Sequence, residues 1–115
     1  MSVNQQLAAQ FPGYDSPEKD ADWRNLKQRL SVGSFVKGRV VHREPFGVFL
    51  DLGVGFPALI LVVRLMHADT MPYTSMDMYP ALGAEVGGRV YVFNDAARQI
   101  GVTQLPRESW MEGDW

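Results

Sequence analysis

The sequence predicts a small all-β barrel of five strands preceded by one helix, and three observations carry that expectation. After residue 30 the chain breaks into short β-rich runs separated by turn residues. Before it, Trp23, Leu26 and Leu30 recur at spacings of three and four, the stripe of one amphipathic helix. With 115 residues, 46% of them apolar and 21% charged, the chain has room and core formers for one domain.

Residues 1–15 lack periodicity and contain Pro12-Gly13, so a flexible lead-in is expected there. Ser16-Pro17-Glu18 then reads as a helix start. Ser16 suits the cap, Pro17 the first helical position, and Glu18, Asp20 and Asp22 the positive end of the helix dipole. Arg24, Lys27 and Arg29 fall late, giving a helix over about 17–30 within a segment 16–30. Its apolar stripe is expected to cap the barrel, which occupies 31–105.

The first strand is expected over 34–43. Phe35 and Val40 are five apart and cannot share a face of a regular strand, so a bulge or bend at Gly38 is predicted. In the second strand, 46–52, Phe46, Val48, Leu50 and Leu52 alternate with Gly47, Phe49 and Asp51. The even positions read as core and Phe49 points outward. Gly53-Val54-Gly55 makes the turn to a third strand, 57–65. Residues 66–80 form a longer link in which Met66, Met71, Met76 and Met78 read as filler. The fourth strand, 86–94, turns Val86, Val90 and Val92 inward and Arg89, Tyr91 and Phe93 outward. A turn at 94–97 leads to the fifth strand, 98–105, and an acidic tail at 106–115. Five strands with the long link after the third describe an OB-fold barrel.

Composition excludes several functions. There is no cysteine, hence no disulfide and no thiolate chemistry. No GxSxG elbow, HExxH helix or GxxxxGK[ST] loop is present. His42 and His67 are lone histidines without a second ligand at useful spacing. No enzyme, cofactor or metal site is therefore expected. The amino terminus lacks a basic segment followed by an apolar core, and the apolar run at 56–63 is far short of the ~20 residues of a membrane span. A soluble, cytoplasmic protein without membrane association is expected. Net charge is −2. Over 31–105, Lys37, Arg39, Arg43, Arg64, Arg89 and Arg98 balance Glu44, Asp51, Asp69, Asp77, Glu85 and Asp95. Phosphate affinity must then come from local placement of charge.

Specific residues resemble the S1 RNA-binding family. Val32-Gly33 followed by Phe35-Val36-Lys37-Gly38-Arg39-Val40 is similar to its opening strand. Phe46-Gly47-Val48-Phe49-Leu50-Asp51-Leu52-Gly53 resembles its glycine-separated aromatic pair. Leu82-Gly83-Ala84-Glu85-Val86 resembles the entry to its fourth strand, and Asp95, Arg98, Ile100, Val102 and Thr103 its closing hairpin. The likeness covers 31–104, roughly two-thirds of the chain. It implies weak binding of RNA or single-stranded nucleic acid, with little sequence preference, on the outer face of the second and third strands. The resemblance assigns stacking to Phe46 and Phe49 and polar contacts to Asp95 and Arg98. Lys37 and Arg39 are then within reach of phosphates.

The third strand departs from that pattern. Ala58-Leu59-Ile60-Leu61-Val62-Val63 places Leu61 where the family has histidine and Val63 where it has serine. A strand apolar on both faces is expected to be covered on both. The alternative is therefore a protein-interaction module whose outer face, Leu59, Leu61 and Val63, meets the chain's own helix, a second copy or a protein partner.

Overall fold

A computed structural model of the chain describes residues 2–68 and 70–106. The β-rich runs form β1 (Phe35–Glu44), β2 (Gly47–Asp51), β3 (Pro57–Leu61), β4 (Glu85–Asn94) and β5 (Gln99–Thr103). They close into a barrel in the order β1-β2-β3-β5-β4. All neighbours are antiparallel except β3 and β5, which run parallel. This is the predicted five-stranded OB barrel. Val40, Val48, Leu50, Ala58, Ile60, Val90, Ile100 and Val102 fill its interior, all sealed from solvent. Each of the larger ones contributes about 1.5–3 kcal/mol by leaving water.

Two bulges decide which side chains face outward. The register of β1 against β2 shifts between Val40 and His42, making Val41 the inserted residue. That of β4 against β5 shifts between Val90 and Val92. One inserted residue moves every later side chain to the other face. Hence Val92, expected inward, is exposed, and Phe93, expected outward, is drawn in opposite Ile100. The irregularity expected at Gly38 falls at Val41 instead. Gly38 permits a close approach, since a Cβ there would lie 2.4 Å from the carbonyl oxygen of Asp51.

The helix with the Trp23 stripe forms as α2 (Asp20–Arg29), entered through a 3₁₀ turn at Pro17–Lys19. Ser16 does not cap it by a side-chain bond; its Oγ donates to the Gly13 carbonyl at 2.8 Å. Trp23 and Leu26 are buried. The indole meets Phe56 and Phe93 edge-on, at centroid distances of 5.0 and 5.8 Å. Phe56 lies in the β2–β3 turn and Phe93 near the end of β4, so α2 caps one end of the barrel, as expected of its stripe.

The lead-in at 1–15 is corrected: it contains a helix, α1 (Val3–Gln10). A capping box opens α1. The Ser2 hydroxyl accepts from Gln5 N at 3.2 Å, and the Gln5 carbonyl oxygen accepts from Ser2 N at 2.9 Å. Leu7, Phe11 and Tyr14 are buried in the common core, and α1 lies against β1. Burial of these three side chains ties the segment down, where their four-and-three spacing gives them one side to bury.

Strand β3 ends at Leu61, four residues short of expectation, because the chain turns into a 3₁₀ segment at Val62–Arg64. The long link is anchored by its tyrosines: Tyr79 donates to the Pro45 carbonyl at 2.6 Å and Tyr73 to that of Met66 at 2.9 Å. Met66, Met71 and Met78 stand exposed and only Met76 packs against the core, so filler describes one of the four. The acidic tail lies, from residue 107 on, outside the described residues. Among the described residues no helix is long and apolar enough to cross a membrane.

Candidate functional site

Strand pairing sorts the residues of the barrel wall into two sides. Val40, Leu50, Ala58, Ile100 and Phe93 form one row across β1, β2, β3, β5 and β4, and they face inward. His42, Phe49, Leu59, Gly101 and Val92 form the next row and face outward. Glu44, Gly47 and Leu61 extend that outer side. The outer surface named from the sequence thus exists, but its residues are disposed differently.

Phe49 is the main correction. It points out of the barrel as expected, yet only 1% of it is accessible. The His42 ring stacks on it at 5.9 Å, and Phe46 stands edge-on at the same separation. His42 is itself fixed, its Nε2–H donating to Glu44 Oε2 at 2.6 Å. An aromatic packed this way cannot offer a face to a base; it supports its neighbours. Phe46, expected at a core position, precedes β2 and is 42% exposed. Of the aromatic pair, Phe46 alone is presented to solvent. Between them, Gly47 lets β2 and β3 approach: a Cβ there would lie 2.3 Å from the Ile60 carbonyl oxygen.

Asp95 and Arg98 are brought together at the β4–β5 hairpin, but both are engaged by the N-terminal segment. Trp23 Nε1–H and Lys27 Nζ each donate to Asp95 Oδ1 at 2.7 Å. These bonds hold the Asp95 carboxyl below its usual range, the lysine contributing most. Arg98 forms an ion pair with Asp20, and its Nη1 lies 3.4 Å from the carbonyl oxygens of Tyr14 and Ser16. Its backbone is left-handed, with φ of 56°. Both side chains are thus engaged within the fold. They fasten the helices to the hairpin.

Lys37 and Arg39 are exposed on the outer side of β1 before the bulge. Lys37 Nζ approaches Glu85 at 3.8 Å, and Arg39 Nη1 donates to the Gly83 carbonyl at 3.1 Å. Arg39 stands in register with two acids, Asp51 on β2 and Glu85 on β4, whereas Lys37 stands opposite Gly87. Leu59 and Leu61 do lie on the outer side, half-buried rather than covered, whereas Val63 is 65% exposed in the turn beyond the strand. The three residues do not make one strand face.

The structure adds a groove that sequence reasoning missed. Leu59, Leu61, Tyr91, Val92, Asn94, Gln99 and Gly101 line an open depression of about 180 Å³ across β3, β5 and β4. At its edge the Arg64 guanidinium stacks on the Tyr91 ring, 3.8 Å from the centroid. No ion pair among the described residues includes Arg64. The outward position of Tyr91 is legible from alternation. The Arg64 contact depends on the turn after Leu61, which carries no sequence signal.

No family model matches the chain. It is 24% identical over 82 residues to a 4-hydroxy-3-methylbut-2-enyl diphosphate reductase of Clostridium acetobutylicum, covering 70% of this chain and 12% of that protein. Among solved structures, GSP13 from Bacillus subtilis superposes with a TM-score of 0.55 at 18% identity, over 75% of this chain and 64% of the other. A chain of the a/eIF2alpha–aDim2p–rRNA complex from Pyrococcus horikoshii matches with a TM-score of 0.55 at 20% identity, over 64% and 44%. These structural likenesses show the fold. The chain spans less than two-thirds of each of these proteins.

Proposed function

We propose that this chain is a non-catalytic module that binds RNA or another single-stranded nucleic acid on the outer face of the barrel. One observation carries the reading. Phe46, the groove of Leu59 and Leu61, and the Arg64 guanidinium beside that groove bring aromatic, apolar and cationic groups to one side of the wall. Aromatic rings stack on any base, with about 1–3 kcal/mol per base and little sequence preference. A guanidinium lying flat on a ring keeps its N–H edge for a phosphate. Support also comes from the fold shared with a chain of a complex that contains rRNA. Compared with the sequence reading, the contact surface moves from Phe49, Asp95 and Arg98 toward Phe46, Tyr91 and Arg64.

Fluorescence anisotropy with a labelled eight-nucleotide RNA at low salt tests the proposal. Binding in the micromolar range is expected, weakened about tenfold by Phe46→Ala or Arg64→Ala, in keeping with one stacking contact or one charge. With one or two phosphates engaged, log K should fall against log salt with a slope of about −0.7 to −1.4. No binding at a hundred micromolar protein, or full affinity in both variants, overturns it.

A further inference from the structure

We infer that the groove across β3, β5 and β4 is a seat for one pyrimidine base, held at its hydrogen-bonding edge by Asn94 and Gln99. The inference rests on the reading of this face as a nucleic-acid surface and adds a base preference to it. At about 180 Å³ the groove is smaller than the roughly 300–1,000 Å³ typical of sites for drug-sized ligands. That is the scale of a single six-membered ring.

Gly101 lies directly beneath the side chains of Val92 and Tyr91: a Cβ added there would lie 2.4 Å from Val92 Cγ1 and 3.1 Å from Tyr91 Cε1. The groove is therefore shallow, and a flat group seated in it lies against Leu59 and Leu61 beside the Val92 and Tyr91 side chains that cover the glycine. The guanidinium of Arg64 over Tyr91 puts a positive charge beside the groove, complementary to the phosphate that any such base carries.

Asn94 and Gln99 are register partners, and both line the groove. The orientation of the Asn94 amide is fixed, because its Oδ1 accepts from Ala97 N at 3.0 Å. Its Nδ2–H₂ is then the group left to offer a ligand, and it must meet an acceptor. Cytosine and uracil both carry a carbonyl at O2 that meets this need. Gln99 brings one donor and one acceptor on a rotatable amide. In one orientation it pairs with N3 and the N4 amine of cytosine, and in the flipped one with N3–H and O4 of uracil. Adenine has no carbonyl, and both purines bring a second ring. Recognition of an unstacked base by such edge contacts is the usual source of specificity toward single strands.

The test is anisotropy with labelled octamers of cytidine, uridine and adenosine, using the full chain and two variants. Asn94→Asp keeps the oxygen that accepts from Ala97 N and removes the donor. Gln99→Leu keeps the bulk and removes both functions. The unsubstituted protein should bind the two pyrimidine octamers about tenfold more tightly than the adenosine octamer, the discrimination one good bidentate contact gives. Each variant should bring that ratio toward one with its melting temperature retained. The change in ratio between proteins decides the matter, since stacking within an octamer is the same for all. Equal binding of the three octamers, or a ratio unchanged in both variants, overturns the pyrimidine seat and leaves the binding function standing. Absence of binding to every octamer overturns both.

Discussion

Replacing Arg98 separates an anchoring role from a ligand-binding one. The side chain is 15% exposed and reaches three oxygen acceptors on the N-terminal segment: the Asp20 carboxylate and the carbonyls of Tyr14 and Ser16. Asp20 is 47% exposed, so its ion pair is worth about 1 kcal/mol after solvent screening. The two carbonyl contacts share one nitrogen at 3.4 Å and together add about 1 kcal/mol. Arg98→Ala should thus destabilise the fold by about 2 kcal/mol, or roughly 8 °C in melting temperature at about 4 °C per kcal/mol. The backbone supplies an internal control. Arg98 sits at φ of 56°, where a residue with a Cβ is strained by about 1 kcal/mol and glycine is not. Arg98→Gly loses the same contacts but relieves that strain, and should melt about 4 °C above Arg98→Ala. Thermal unfolding followed by circular dichroism measures both, with RNA anisotropy alongside. Affinity should hold within twofold in each variant at a temperature where both are folded. If Arg98→Ala melts like the parent while its RNA affinity drops tenfold, the side chain is a ligand contact and the anchoring argument is wrong.

Other substitutions follow from the same geometry. Gly47→Ala pushes a Cβ to within 2.3 Å of the Ile60 carbonyl oxygen, so β2 and β3 must separate; a loss of about 1–3 kcal/mol in urea unfolding is expected, and a neutral result contradicts the close approach. Leu7→Ala removes a side chain with no exposure, and should cost about 2–5 kcal/mol; an unaltered melt means that α1 does not dock in solution. For Asp95 the folded-state pKa lies below the unfolded one, so its contribution is present above the unfolded pKa and lost as pH falls through the folded value. Asp95→Asn should therefore lower the melting temperature near neutrality by an amount that shrinks as pH falls through and below the ordinary carboxylate range. A gap that persists unchanged to acid pH shows that the carboxylate charge is not what matters.

The barrel was legible because its signals are local. Alternation places Val48 and Leu50 on one side of β2 and Phe49 on the other, and the pairing keeps them so. What alternation reports is the side of the sheet, not whether that side is covered, and Phe49 fell in that gap. Bulges leave no mark in composition, so one inserted residue exchanged the expected positions of Val92 and Phe93. Helix α1 was readable in principle, since Ser2 and Gln5 have capping-box spacing and Leu7, Phe11 and Tyr14 lie four and three apart. Pro12-Gly13 within the stripe obscured it, because Phe11 and Tyr14 continue its burial after the helix has ended. Asp95 and Arg98 were placed correctly on the hairpin, but partners 68 to 84 residues away in sequence decide what they bind. No local pattern reports such a partner.

The parallel meeting of β3 and β5 has a mechanical consequence. Only two residue pairs, Ala58 with Ile100 and Leu59 with Gly101, clasp the hoop shut along that line. With the clasp fastened, no strand is left with a lengthwise margin to recruit a foreign strand, so neighbours must be met through side chains. The clasp is also the narrowest stretch of wall, and Leu59 and Gly101 on its two sides both border the groove. Whatever lodges there would rivet the hoop at its thinnest point, and breathing of the wall and residence of the guest would rise and fall in opposition.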